Sequence, residues 1–175
     1  MNEEFIRELD STAKNLLESI SKLSDQQLKY KVNPQMWSIH ECFEHIVITE
    51  IAVYRILMQH GLENADTASE TERIGKVKME KLLSDRSVKT EAPDDVKPVG
   101  RFSSLDELRD KFLSNRERIA EALKNNSIVF DSRIIPHPVL GEMTKKDWLH
   151  FMIHHCERHC KQIEEIKSFI QFQVT

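Results

Sequence analysis

Turn formers are scarce in this 175-residue sequence, which has four glycines and five prolines. An average chain gives roughly 12% of its positions to the two. A sandwich or barrel of short strands needs a turn about every 8–12 residues, built mostly with Gly, Pro, Asn or Asp. That architecture is excluded, as are collagen-like and Gly-rich chains. No apolar run approaches the roughly 18 residues of a membrane span, so no membrane partner is expected. Neither sign of charge dominates: 25 basic and 29 acidic residues are interspersed and leave a net charge of −4. Without a basic face, nucleic acid is not an expected partner. Three cysteines are too few for a disulfide framework. The amphipathic, acidic start lacks the basic and apolar regions of an export signal. Reduced thiols in the cytoplasm are therefore expected.

What is present is helical periodicity. A 39% hydrophobic share beside 31% charged residues suits long amphipathic helices in one domain over 1–175. Phe5, Leu9, Thr12, Leu16, Ile20 and Leu23 recur every three or four residues and predict a first helix over 3–23. Ser38 and Glu41 form a capping box for a second helix, which runs to about His60, with Gly61 in the C′ position. From Ile46 to Met58 that helix is apolar on most sides, so it should be central. A long crossover over 61–103 follows, with a short helix over 71–83 weakened by Gly75. Ser104 with Glu107 opens a third helix, and Asn115 interrupts its apolar stripe. An irregular stretch over 125–143 leads to Thr144 and Asp147, which cap a fourth helix running to about Gln171. Four long helices with few corners predict an all-α four-helix bundle.

Eight histidines are many for this length, and the fourth helix carries His150, His154, His155 and His159. Residues four apart share a helix face, so there are two candidate metal-binding pairs. At about 100° per residue, His155 and His159 fall on the inward seam with Trp148, Met152, Gln162 and Ile166. His150 and His154 fall with Glu157 and Lys161, a face expected to meet solvent. Two adjacent buried imidazoles resist protonation and aim lone pairs in one direction, which suits a divalent metal. The alternative is a pair of hydrogen-bonded core histidines. His45, on the apolar second helix, is open to the same two readings. Cys156 and Cys160 read as small buried hydrophobes. Cys42, one turn before His45, reads as one too, with a thiol ligand or redox role as the alternative. Glu44 and Glu157 read as surface charge. Gln162, one turn after His159, can hydrogen-bond a ligand's second nitrogen or a substrate. His137 can approach from its loop.

Two blocks carry a resemblance. Trp37-Ser38-Ile39-His40-Glu41-Cys42-Phe43-Glu44-His45 resembles the W-S-x-x-E-x-x-x-H segment of the DinB/YfiT-like superfamily. The stretch from His137 through Pro138, Gly141, Thr144, Trp148, His155, His159 and Gln162 to Ile163 resembles that superfamily's second signature. The resemblance implies an up-down-down-up bundle with a long crossover between its second and third helices. It also implies a divalent metal held by His45, His155 and His159, and a homodimer. Zinc or nickel heads the expected ions, with iron and manganese as alternatives. Three neutral imidazoles leave coordination positions open for water or a thiol. Characterised members resemble thiol S-transferases that use low-molecular-weight thiols such as bacillithiol or mycothiol, and many others are described as metal-dependent hydrolases.

Three functions follow as expectations. The first is a metal-dependent thiol transferase or hydrolase acting on small molecules. The second is a non-catalytic stress or interaction protein that keeps the fold. The third is a metal or redox sensor using Cys42, Cys156 and Cys160.

Overall fold

The structure is a computed structural model describing residues 1–59, 75–87 and 91–171, with only the backbone of 75–77 and 170–171. In order it contains α1 (Asn2–Ile20), α2 (Asp25–Lys29), α3 (Ile39–Met58), α4 (Gly75–Ser84), a 3₁₀ turn (Asp94–Val96), α5 (Leu105–Lys124), β1 (Ile134–His137), β2 (Gly141–Thr144) and α6 (Lys145–Gln171). The four long helices α1, α3, α5 and α6 form the bundle. Their directions follow from contacts. The Asn2 amide donates to the Leu123 carbonyl, so α1 starts where α5 ends. The ring of Phe5 meets that of His150, so α1 and α6 start together. Phe43 meets Phe112, and Glu50 meets Arg116, so α3 and α5 run in parallel. The order is up-down-down-up, as the resemblance implied.

Local sequence explains most helix ends. Ser38 accepts from the Glu41 N–H while the Glu41 carboxylate accepts from the Ser38 N–H. Thr144 and Asp147 make the same exchange at the start of α6. Such caps are each worth about 1 kcal/mol. At α5 the box is shifted: Ser104 accepts from the Glu107 N–H, but the Glu107 carboxylate reaches Ser103 instead. A third box, Ser24 with Gln27, builds the short α2 inside what reads from sequence as a connector. Residues 71–74 of the expected short helix lie outside the described residues, and α4 is described from Gly75 onward. His60 and Gly61 lie outside the described residues.

The stretch read as irregular over 125–143 holds one small element beside the bundle. Residues 134–144 form an antiparallel hairpin, with Ile134 opposite Thr144 and His137 opposite Gly141. Each strand has four residues and one contains Pro136, too short and too interrupted for alternation to register. The Trp148 indole N–H donates to the Ile135 carbonyl at 2.9 Å and ties the hairpin onto α6.

The core divides into two apolar clusters. One gathers Phe5, Leu9, Val53, Leu57, Ile119 and Met152 at the end where α1 and α6 begin. The other gathers Leu16, Phe43, Ile46, Phe112, Cys156 and Ile163 at the opposite end. Thr12, Thr49, Glu50, Asn115 and Arg116, all buried, lie between them in sequence on three helices. The guanidinium of Arg116 pairs with Glu50 at 2.6 and 2.9 Å and also donates to the Thr12 hydroxyl and the Leu9 carbonyl. Among the described residues, no helix is long and apolar enough to cross a membrane.

Candidate metal centre

α3 supplies His45, and α6 supplies His155 and His159. On α3, positions 45 and 50 stand about 140° apart around the axis. Glu50 therefore turns toward α5 while His45 turns toward α6. His155 and His159 are one turn apart on the seam that faces α3. All three imidazoles are buried. His45 Nε2 lies 3.1 Å from His155 Nε2, which lies 3.2 Å from His159 Nε2. Among the described residues, this is the group of three or more His, Cys, Asp or Glu side chains whose ligating atoms all fall within 4.8 Å of one another.

Outer contacts settle where the protons sit. His45 Nδ1 is 2.7 Å from the Val96 carbonyl, which can only accept, so Nδ1 carries the proton and Nε2 a lone pair. His159 Nδ1 is 2.9 Å from Gln162 Oε1. The Arg86 guanidinium approaches that same atom at 3.5 Å, which requires an oxygen there. His159 Nε2 therefore also carries a lone pair. Both lone pairs face His155 Nε2. A neutral His155 has one ring proton. On Nε2, that proton can answer only one neighbour. On Nδ1, it meets no acceptor, because that buried atom has no partner among the described residues. The cluster cannot satisfy itself in either state.

A cation at the convergence point removes the conflict by taking three lone pairs at once. For zinc, with bonds of about 2.0–2.1 Å in tetrahedral geometry, ligand nitrogens stand roughly 3.4 Å apart. The observed separations of 3.1 and 3.2 Å are close to that value. Burial lowers the pKa of all three imidazoles. His155 and His159 are lowered furthest, because each also feels the neighbouring imidazoles. The neutral, metal-binding form is therefore favoured in the fold.

The matching family model covers residues 8–163 and describes the DinB superfamily. The chain belongs to the DinB superfamily. YuaE, an uncharacterized protein of Bacillus subtilis (strain 168), is 29% identical over 149 residues, covering 85% of this chain and 88% of YuaE. Two solved structures share the fold. TT2238, described as a four-helix bundle protein, aligns over 94% of this chain and 99% of its own with a TM-score of 0.61 and 17% identity. YfiT from Bacillus subtilis aligns over 97% of this chain and 87% of its own with a TM-score of 0.64 and 15% identity. YfiT is described as a probable metal-dependent hydrolase with an unusual four-helix bundle topology.

Within this DinB-superfamily bundle, the other sequence candidates have distinct places. Gln162 sits behind His159, as its spacing suggests. His137 Nδ1 accepts from the N–H groups of Val139 and Leu140, each at 3.1 Å, so its proton is on Nε2. Its ring meets Phe151 edge-on, and Phe151 in turn touches His155, so His137 stands one ring removed from the cluster. Burial pushes its pKa down to about 4. Cys42 packs in the apolar cluster and burial pushes its thiol well up, so it is a neutral side chain outside the histidine group. Cys156 is buried and Cys160 half-buried, one turn apart on α6.

Two readings from spacing are overturned. His150 is buried and His154 nearly so, rather than both exposed, because α6 is flanked by α1 and α4 as well as α3, and the ring of Phe5 of α1 meets that of His150, tilted, at 4.8 Å. Glu44 is fully buried rather than a surface charge. Residues 42–50 of α3 are buried on every side, so no solvent face exists for it. Sequence reasoning also missed three contributors. Trp37 lays its indole on His45 and stacks over His159, with centroids at 4.8 and 6.1 Å. Its position just before the Ser38 cap was the available signal. The Val96 carbonyl and Arg86 come from the crossover, where no periodicity marks them.

Proposed function

We propose that the protein is a divalent-metal-dependent enzyme of small molecules, with His45, His155 and His159 as ligands. The observation that carries this reading is the set of three converging Nε2 atoms that no arrangement of the cluster's own protons can satisfy. A bound divalent ion would supply Lewis acidity and a water or thiol of lowered pKa at its open positions.

The chain's own residues define the rest. Val96 and Gln162 hold two rings with their lone pairs inward, the outer support that metal-binding imidazoles need. Trp37 packs its indole against the rings of His45 and His159. Three neutral ligands leave the ion's positive charge uncompensated, which favours an anionic fourth partner such as hydroxide or thiolate. Hydrolysis and transfer of a low-molecular-weight thiol to an electrophilic acceptor both use that property, and either suits the site.

Metal analysis of the purified protein is the direct test, followed by turnover assays with activated esters or amides and with thiol–electrophile pairs. The expected result is about one divalent ion per chain and turnover that a chelator removes. A chain that carries no ion under metal-replete conditions would refute the proposal and leave a non-catalytic bundle.

A further inference from the structure

Two consecutive residues of α3 hold one short piece of the crossover. His45 donates its Nδ1–H to the Val96 carbonyl. Glu44 accepts three backbone N–H groups in a row: Val99 at 3.1 Å, Gly100 at 3.1 Å and Arg101 at 2.8 Å. Both of its oxygens are used, and its side chain is fully buried. Successive N–H groups converge on one anion only where the backbone folds into a concave nest. Gly100 provides that bend with φ +75, a conformation most side chains resist. Nothing lies within 4 Å of a Cβ placed there, so conformation rather than space calls for glycine.

Val96 is held from both sides. Upstream, its N–H closes a 3₁₀ turn onto Pro93 at 3.1 Å. Downstream, the Glu44 clamp begins at Val99, with Pro98 stiffening the link. The Arg101 guanidinium reaches back to the Asp95 carbonyl at 3.0 Å and closes the loop on itself. A shift of the clamp therefore moves the carbonyl that selects the proton position of His45.

We propose that Glu44 is a positioning residue for the metal centre, acting through segment 96–101 on the tautomer and direction of His45. This rests on the metal reading above. It gives a buried carboxylate, which touches no histidine of the cluster through any of these bonds, a role in metal affinity.

The test is a competitive titration of full-length protein with zinc and cobalt against a chelator, for the wild type, Glu44→Gln, Glu44→Ala and Gly100→Ala. Long-range ¹H–¹⁵N spectra of the metal-free proteins read the His45 tautomer. Losing such outer support weakens metal binding by about 10–100-fold. Glu44→Ala should show that loss with a mixed His45 tautomer, and Glu44→Gln a smaller one, because one acceptor oxygen remains. Gly100→Ala strains the nest from the loop side and leaves α3 intact, so it carries the test if Glu44→Ala does not fold. It should weaken binding in the same direction. Wild-type affinity and an unchanged His45 tautomer in folded Glu44→Gln and Gly100→Ala would overturn the proposal alone. A wild type that takes up no ion would overturn the metal reading and this proposal with it.

Discussion

Two of the polar groups buried among the described residues differ in closure: the Arg116–Glu50 pair is complete in itself and the histidine group is not. In the first, the Arg116 guanidinium meets both oxygens of Glu50, the Thr12 hydroxyl and the Leu9 carbonyl, and it stacks on the Phe112 ring at 4.3 Å. Its charges cancel and its donors find acceptors within the fold. In the second, three imidazoles aim at one point with no acid among them. Both are buried and both draw on α3. The difference lies in closure. A buried polar group that closes on itself needs no further partner, whereas the histidine group leaves lone pairs unanswered, which is what the proposed ion would take up.

The largest expected effect breaks the second cluster alone. Changing His45, His155 or His159 singly to Ala should reduce metal content from about one ion per chain to background, since two nitrogens rarely retain a divalent ion against a chelator. Elemental analysis of each variant reads this directly. Arg116→Met should leave metal content unchanged. Loss of the ion from Arg116→Met, or full occupancy in a histidine variant, would erase the distinction between the clusters.

Stability should respond in the opposite sense. Arg116→Met leaves the Glu50 carboxylate buried without its partner, and breaking a buried pair from one side costs about 3–5 kcal/mol. Denaturant unfolding of the metal-free protein measures it. The double variant Glu50→Met with Arg116→Met should recover most of that loss, because a well-packed apolar pair can replace a buried ion pair. A double variant as unstable as the single one would show that the pair contributes more than its mutual compensation.

These two clusters were not equally legible in sequence. The four long helices, their caps at Ser38 and Thr144, and the inward face of His155 and His159 all follow from spacing, because a helix repeats every 3.6 residues. Apposition of His45 with that pair does not follow from spacing, since more than a hundred positions separate them. The family resemblance supplied it. The Glu50–Arg116 pair passed unread because a charged residue on a helix looks the same whether it faces solvent or a partner two helices away. Glu44 and His150 were misplaced for a related reason. A helical wheel assigns one inward seam, yet α3 and α6 are each covered on several sides. Val96, Arg86 and the hairpin lie in connectors, where contacts depend on the path of the chain rather than on a period.

A finer prediction concerns the support of the second cluster. Gln162 Oε1 receives the Nδ1–H of His159, and Arg86 holds the amide while pairing with Glu165 at 2.6 and 3.0 Å. Gln162→Ala should weaken metal binding by about 10–100-fold with the stoichiometry kept. Gln162→Glu retains an acceptor for His159 and adds a charge beside Arg86, so it should bind nearer to wild type. Equal losses in both would mean that the amide acts by packing rather than by holding the proton on Nδ1.

The smallest expected effect comes from the second i, i+4 pair on α6. His150 and His154 have the spacing of His155 and His159, and their rings lie parallel with centroids 6.4 Å apart. His154 Nδ1 is bonded to the half-exposed Glu157 carboxylate at 3.0 Å, so one nitrogen is already engaged. No third ligand joins them among the described residues. His154→Ala removes one contact to a solvated carboxylate, worth about 0.2–1 kcal/mol, together with the packing of a largely buried ring. Unfolding should therefore shift by about 1–2 kcal/mol, and the titrated metal stoichiometry should stay where it is in the wild type. A second ion that disappears in His154→Ala would show that spacing alone had built a site. Unchanged stoichiometry would show that the i, i+4 pair needs a third imidazole from α3 before it becomes one.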